Sequence, residues 1–235
     1  MNNTAVITLE RLWGWETSPN NKASVKPFLE GIQSLRGDFD LHYSHIYGRE
    51  SIREALTEFL RPEYRRVILQ IAGHGSGRKI SSALFSTVFE TISDVSNQNG
   101  FNGSLGLIMS SCLMGGNKEE ISRGIRKAKL QWFFGYNCAT SWMESTLIDT
   151  QIIYSLSRKG IHSIPTQESL VRYFNEALSL FNGNFVIDDG EKEAKCLKES
   201  VTLMFADGDF RRRPIDVSDQ LFDDYSETDA ELPKE

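Results

Sequence analysis

Residues 67–75 read Val-Ile-Leu-Gln-Ile-Ala-Gly-His-Gly, and residues 105–112 read Leu-Gly-Leu-Ile-Met-Ser-Ser-Cys. Each segment is a run of mostly apolar residues that ends at a side chain with reactive chemistry, His74 or Cys112. Because polar residues do not alternate with the apolar ones, each run is predicted to be a parallel strand that is buried on both faces. The functional residues of a parallel sheet lie at the carboxyl ends of its strands. If the two strands are neighbours, His74 and Cys112 meet at one edge of the sheet.

Strand and helix patterns alternate along the rest of the chain. Amphipathic helices, one of them at residues 146–156, are predicted between further strands at residues 4–9, 39–47, 130–136 and 201–205. This alternation predicts one α/β domain over residues 1–215, a three-layer α/β/α sandwich with about six strands in a mostly parallel sheet. Residues 216–235 contain eight acidic side chains and few apolar ones, which predicts a flexible acidic tail.

The composition argues against several classes of protein. Of the 235 residues, 40% are hydrophobic and 25% are charged, as in an ordinary globular domain. The net charge of −6 argues against a nucleic-acid-binding protein, and no apolar run approaches the roughly 18 residues of a membrane span. The first residues lack the pattern of a signal peptide, so we expect a cytoplasmic protein that does not bind a membrane. The three cysteines have no paired spacing, which argues against a disulfide framework or a zinc site, and we expect no metal or other cofactor.

A thiol beside an imidazole has the chemistry of a cysteine nucleophile and its base. Glycines beside His74 and after Cys112 let the backbone turn sharply, so the N–H groups of Gly75 and Cys112 are candidates for an oxyanion hole. Each residue alone also has a structural interpretation, because a cysteine at a strand end is often a small buried residue. Their placement at two successive strand ends favours acyl transfer, in which Cys112 attacks a peptide carbonyl and His74 protonates the leaving amine.

Residues 71–77, Ile-Ala-Gly-His-Gly-Ser-Gly, are similar to the strand and His-Gly motif of the caspase-like cysteine peptidases of clan CD. Residues 108–116, Ile-Met-Ser-Ser-Cys-Leu-Met-Gly-Gly, resemble the strand and cysteine motif of the same family, whose nearest members are the prokaryotic CHAT and metacaspase-type proteases. The resemblance implies the caspase-like sandwich, a catalytic dyad at His74 and Cys112, and an oxyanion donor at Gly75. It also implies that the partner is a protein substrate.

Two features separate the chain from the animal caspases. Its cysteine motif reads Ser-Ser-Cys-Leu-Met rather than Gln-Ala-Cys-Arg-Gly, and His74 precedes Cys112 by 38 residues rather than about 50. The resemblance therefore does not imply specificity for aspartate. It does imply regulated proteolysis or anti-phage defence, for example the activation of a gasdermin-like protein, with a regulatory partner or companion gene product.

The substrate pocket is expected near the carboxyl ends of the first and fifth predicted strands. The acidic side chains in those regions, which could pair with a substrate arginine or lysine, are Glu10, Glu16, Glu144 and Asp149. The other candidate pocket residues are Ser111, Tyr136 and Trp142. Each acidic residue alone is more often a surface charge. Together they predict cleavage after a basic residue.

Two other functions compete with the peptidase. The glycine-rich residues 73–77 follow a strand and could bind phosphate, although their spacing is not Gly-x-Gly-x-x-Gly and no Lys-Ser/Thr pair follows. A catalytically silent caspase-like scaffold that binds a partner is the second alternative. Inactive relatives usually lose the cysteine or the histidine, and this chain has both.

Overall fold

The computed structural model of the chain describes residues 2–12, 23–80, 82–158, 165–187 and 195–222. Within these ranges the strands are β1 (Thr4–Glu10), β2 (Asp40–His45), β3 (Arg66–Ala72), β4 (Lys79–Ile80), β5 (Ala83–Leu84), β6 (Ser104–Ser110), β7 (Trp132–Tyr136), β8 (Val201–Phe205) and β9 (Ile215–Asp216). The helices in the same ranges are α1 (Lys26–Arg36), α2 (Arg49–Phe59), α3 (Phe85–Asn99), α4 (Lys118–Ala128), α5 (Trp142–Leu156), α6 (Gln167–Leu178) and α7 (Leu197–Ser200).

Seven of the strands form one mixed sheet in the order β2-β1-β3-β6-β7-β8-β9. The first five strands in this order are parallel to one another. Strand β8 runs antiparallel to β7, and β9 runs antiparallel to β8. The prediction of an α/β fold with a mostly parallel sheet is confirmed. The predicted neighbourhood of the two strands that precede His74 and Cys112, β3 and β6, is confirmed as well.

The predicted count of about six strands is too low, because the sheet has seven within the described ranges. The extra strand, β9, is only two residues long, and a strand this short has no periodicity by which a sequence could reveal it. Beyond it, Val217 and Leu221 are buried in the apolar core, although the sequence assigns them to the acidic tail. Residues 223–235 of the predicted tail lie outside the described residues.

Helices cover both faces of the sheet. Strand β1 illustrates why polar and apolar residues do not alternate in such a sheet. All seven of its residues are buried. Ala5 and Ile7 contribute to the apolar cluster that contains residues of α2, α3 and α4, while Val6 contributes to the cluster that contains residues of α1, α5 and α6. Because neighbouring side chains of a strand point to opposite faces, a strand between two helix layers needs apolar residues at successive positions.

Helix α5 begins at Trp142, one turn before the predicted start at residue 146. The hydroxyl of Ser141, the residue before the helix, donates a hydrogen bond to Glu144 in the first turn. Glu144 and Ser145 in this turn are polar, so the helical spacing of apolar residues that predicts the helix begins only after them. Within the described part of the chain, no helix combines the length and the apolar character needed to cross a membrane.

Candidate active site

The ends of β3 and β6 lie side by side at the carboxyl edge of the sheet. Ala72 and Ser110, the last residues of these strands, are opposite each other in the parallel ladder. The backbone N–H of Gly73 then donates to the carbonyl oxygen of Ser110 at 3.2 Å, so the pairing extends beyond the strands. His74 and Cys112 each follow two residues after the end of their strand. The structure therefore brings both predicted residues to the same edge.

The loop that carries His74 packs directly on the turn that carries Cys112. A Cβ atom at Gly75 would lie 2.5 Å from the carbonyl oxygen of Cys112 and 2.9 Å from the Cβ atom of Ser111. Real Cβ atoms do not approach other atoms so closely, so only glycine fits this contact. Within the described residues, the backbone N–H groups of Gly75 and Cys112 donate no hydrogen bond. Within the described residues, neither amide therefore has a backbone acceptor.

The turn after Cys112 is held against the end of β7. Leu113 has a positive φ of 63°, which is uncommon for a residue other than glycine, and its N–H donates to the carbonyl oxygen of Cys138 at 2.9 Å. A Cβ atom at Gly115 would lie 2.8 Å from the carbonyl oxygen of Gly135, so this glycine permits a close backbone approach. Three strand ends, those of β3, β6 and β7, together build the site.

Cys112 is half-buried, and three atoms of Thr140 lie near its sulfur. The backbone N–H of Thr140 donates to the Cys112 Sγ at 3.4 Å. The Thr140 hydroxyl and carbonyl oxygens each lie 3.8 Å from the same sulfur. His74, on the neighbouring loop, is exposed. Sequence reasoning missed Thr140, because no local pattern marks a residue that follows Cys112 by 28 positions.

A chain of buried polar groups crosses the sheet just below the site. The Thr8 hydroxyl donates to Gln70 at 3.1 Å, and the Gln70 amide donates to the Ser110 hydroxyl at 3.0 Å. On the same side, the Tyr136 hydroxyl donates to Asp149 Oδ1 at 2.7 Å. Buried polar groups need such partners, because an unpaired polar group away from water is costly.

Asp149 is 1% exposed, and within the described residues its Oδ2 atom has no hydrogen-bond partner. Burial raises the pKa of Asp149 from 3.8 to about 7, although the polar groups of Ser110, Tyr136 and Gln70 oppose this rise. Burial, together with the nearby Asp149 carboxyl, also raises the pKa of Tyr136 well above its ordinary value. Near neutral pH, the site therefore has a buried acid that is only partly ionised.

The other predicted pocket residues occupy different environments. Glu10 is buried and accepts hydrogen bonds from the Ser24 and Tyr43 hydroxyls and from the Val25 N–H, so its carboxylate holds the start of α1 against the sheet. Glu144 accepts its hydrogen bond from Ser141 in the first turn of α5. Glu16 lies outside the described residues.

Ser111 is next to Cys112 in the sequence, and Trp142 is close in sequence to Thr140, which contacts the sulfur. Ser111 is 1% exposed and immediately precedes Cys112, and Trp142 follows two residues after Thr140. The Ser111 hydroxyl and the Trp142 indole nitrogen are buried and have no hydrogen-bond partner within the described residues. Trp142 also packs edge to face against Phe28, with 6.0 Å between the ring centres. Both side chains thus have unused hydrogen-bonding groups beside the site.

The loop of residues 73–77 does not have the arrangement of a phosphate-binding loop. It leads into the β4–β5 hairpin, and α3 begins only at Phe85. A phosphate cradle of the strand–turn–helix type needs a helix N-terminus directly after the glycines.

No protein-family model matches the chain, and no curated protein matches it.

Proposed function

We propose that the chain is a cysteine endopeptidase of the caspase-like type, with Cys112 as nucleophile and His74 as base. The observation that supports this most strongly is the contact between Gly75 and Cys112, which joins the loop of the base to the turn of the nucleophile. The parallel pairing of β3 with β6 and the helices on both faces agree with the sandwich that this family has.

The proposed reaction begins when His74 takes the proton of the Cys112 thiol. The thiolate attacks the carbonyl carbon of a peptide bond, and the amides of Gly75 and Cys112 donate to the oxyanion that forms. The protonated His74 then gives its proton to the leaving amine, which leaves an acyl-enzyme that water hydrolyses. The exposed His74 ring must approach the sulfur for the first step. Catalytic hydrogen bonds are often long before substrate binds and shorten in the complex.

Among the predicted acidic residues, Asp149 is the best candidate to recognise a basic substrate side chain. Both oxygens of the Glu10 carboxylate accept hydrogen bonds from neighbouring groups, and Glu144 is bonded to Ser141. By distance and angle, Asp149 Oδ2 makes no hydrogen bond within the described residues, although the polar groups of Ser110 and Gln70 act on this carboxyl. A guanidinium or ammonium group bound there would satisfy this oxygen and favour the ionised carboxylate. We therefore propose cleavage after arginine or lysine.

The proposed substrate is a protein, and the proposed setting is regulated proteolysis or anti-phage defence with a companion protein. The resemblance of the two motifs supports this setting. Incubation with proteins encoded beside this one, followed by N-terminal sequencing of the fragments, would identify both the target and the residue before the cleaved bond.

Covalent trapping tests the proposed nucleophile. A peptidyl-arginyl chloromethyl ketone should alkylate Cys112, and mass spectrometry of the digested protein should place the adduct there. His74→Ala should slow the labelling strongly, while Cys196→Ala, which removes another half-buried thiol, should leave it unchanged. Labelling that is confined to Cys196 or Cys138 would contradict the proposal. A catalytically silent scaffold would show no labelling that depends on His74.

A further inference from the structure

Thr140 is 1% exposed, yet its hydroxyl faces the half-buried sulfur of Cys112 at 3.8 Å. Three atoms of this residue contact the sulfur, namely the backbone nitrogen, the carbonyl oxygen and the hydroxyl oxygen. The first is a donor, the second is an acceptor and the third is both. Thr140 thus offers partners to the sulfur in its thiol form and in its thiolate form.

The fold does not need the Thr140 hydroxyl to hold its own loop. Backbone hydrogen bonds fix that loop, from Asn137 N–H to the Ser200 oxygen at 2.9 Å and from Ser141 N–H to the Ile187 oxygen at 3.0 Å. Within the described residues, the sulfur is the one hydrogen-bond partner of the hydroxyl. A buried hydroxyl costs free energy unless it is bonded, and valine would fill the same volume without that cost. The contact with the Cys112 sulfur therefore accounts for the hydroxyl at this buried position.

We propose that Thr140 is the positioning residue of Cys112 and stabilises its thiolate. This inference rests on the proposed function, because it assigns a role at the same nucleophile. In the thiol form, the S–H group points to the Thr140 carbonyl oxygen. When His74 takes the proton, the Thr140 N–H continues to donate to the sulfur, and the Thr140 hydroxyl donates to it as well. These two donors hold the thiolate at the carboxyl edge until it attacks the carbonyl carbon.

The test measures the rate at which iodoacetamide alkylates Cys112 in the full chain, with and without the Thr140 hydroxyl. Thr140→Val should lower the rate at pH 7 by roughly threefold to tenfold, the effect of one net hydrogen bond, and move the pH profile of alkylation to higher pH. Thr140→Ser keeps the hydroxyl and should remain within about twofold of the unmodified chain. Cys196, measured in the same digest, serves as the reference thiol and should not change.

Three results would overturn the inference: an unchanged rate in Thr140→Val, an increased rate in that variant, or equally slow alkylation in Thr140→Ser. If Thr140→Val does not fold, Thr140→Ala supplies the same comparison without the volume of valine. Alkylation requires no peptide substrate, so the proposed function and this inference fail separately. If the unmodified chain cleaves no peptide but Thr140→Val is alkylated more slowly than the unmodified chain, the role of Thr140 stands and the peptidase proposal fails.

Discussion

Gly75 and Cys112 are in direct backbone contact, and the contact leaves no room for a side chain at Gly75. A Cβ atom there would lie 2.5 Å from the Cys112 carbonyl oxygen. The contact connects the ends of two strands that are adjacent in the sheet. It fixes the loop of the proposed base relative to the turn of the proposed nucleophile.

Gly75→Ala should therefore separate the two loops. We expect peptide turnover to fall by at least tenfold and the free energy of unfolding to fall by about 1–3 kcal/mol, because a backbone clash forces the chain to move. Gly31→Ala is the matched control, since Gly31 lies in α1 and a Cβ atom there meets nothing within 4 Å. This control should be neutral or slightly stabilising. Urea unfolding and peptide turnover measure both effects, and full activity in Gly75→Ala would contradict the role of the contact.

Asp149 should make stability depend on pH in a definite direction. Its pKa rises from 3.8 to about 7 on folding, so the folded chain holds this proton more tightly than the unfolded chain. The resulting stabilisation is complete below pH 4 and is lost as the pH rises to about 7. Asp149→Asn cannot lose a proton, so the unmodified chain should lose about 2–3 kcal/mol relative to this variant between pH 5 and pH 8. A difference in unfolding free energy that stays constant over this range would contradict the raised pKa.

The same carboxyl should make substrate preference depend on pH. Because Asp149 ionises through about pH 7, the ratio of turnover of arginine to alanine substrates should rise between pH 6 and pH 8. Asp149→Asn should reduce this ratio by at least tenfold and remove its pH dependence. Glu144→Gln, which alters a carboxylate already bonded to Ser141, should leave the ratio unchanged. Equal turnover of aspartate and arginine substrates, or turnover of aspartate substrates alone, would show that the pocket does not select a basic residue.

Glu10 should matter for stability and not for specificity. Its carboxylate accepts hydrogen bonds from Ser24, Tyr43 and the N–H of Val25. Glu10→Gln replaces one acceptor oxygen with a donor group, so we expect the free energy of unfolding to fall by about 1–3 kcal/mol. The ratio of arginine to alanine turnover should be the same as in the unmodified chain. A changed ratio in Glu10→Gln would place this residue in the substrate pocket.

Much of the fold could be predicted from the sequence, because burial on both faces leaves a distinct pattern. The mostly apolar residues of β3 and β6 predicted two parallel strands, and the structure pairs them with Ala72 opposite Ser110. Strand β9 and the β4–β5 hairpin were missed, because two-residue strands depend on their neighbours and have no period of their own.

The site could be predicted only where it follows the strand ends. His74 and Cys112 follow apolar runs, so the sequence places them at one edge. Thr140 contacts the sulfur through a loop that begins after β7, and only the folded chain shows this contact. In the same way, the sequence predicts both Glu10 and Asp149 to be acidic residues near the carboxyl edge of the sheet. The structure distinguishes them by the hydrogen bonds that each carboxyl group accepts.

The most direct test of Cys112 as the nucleophile is the hydrolysis of a fluorogenic peptide with arginine before the cleaved bond. The unmodified chain, His74→Ala, Cys112→Ala and Cys196→Ala should be compared at one protein concentration. We expect turnover by the unmodified chain and by Cys196→Ala, and a loss of at least about 100-fold in His74→Ala and Cys112→Ala. Turnover by Cys112→Ala at the rate of the unmodified chain would contradict the central claim that Cys112 is the nucleophile.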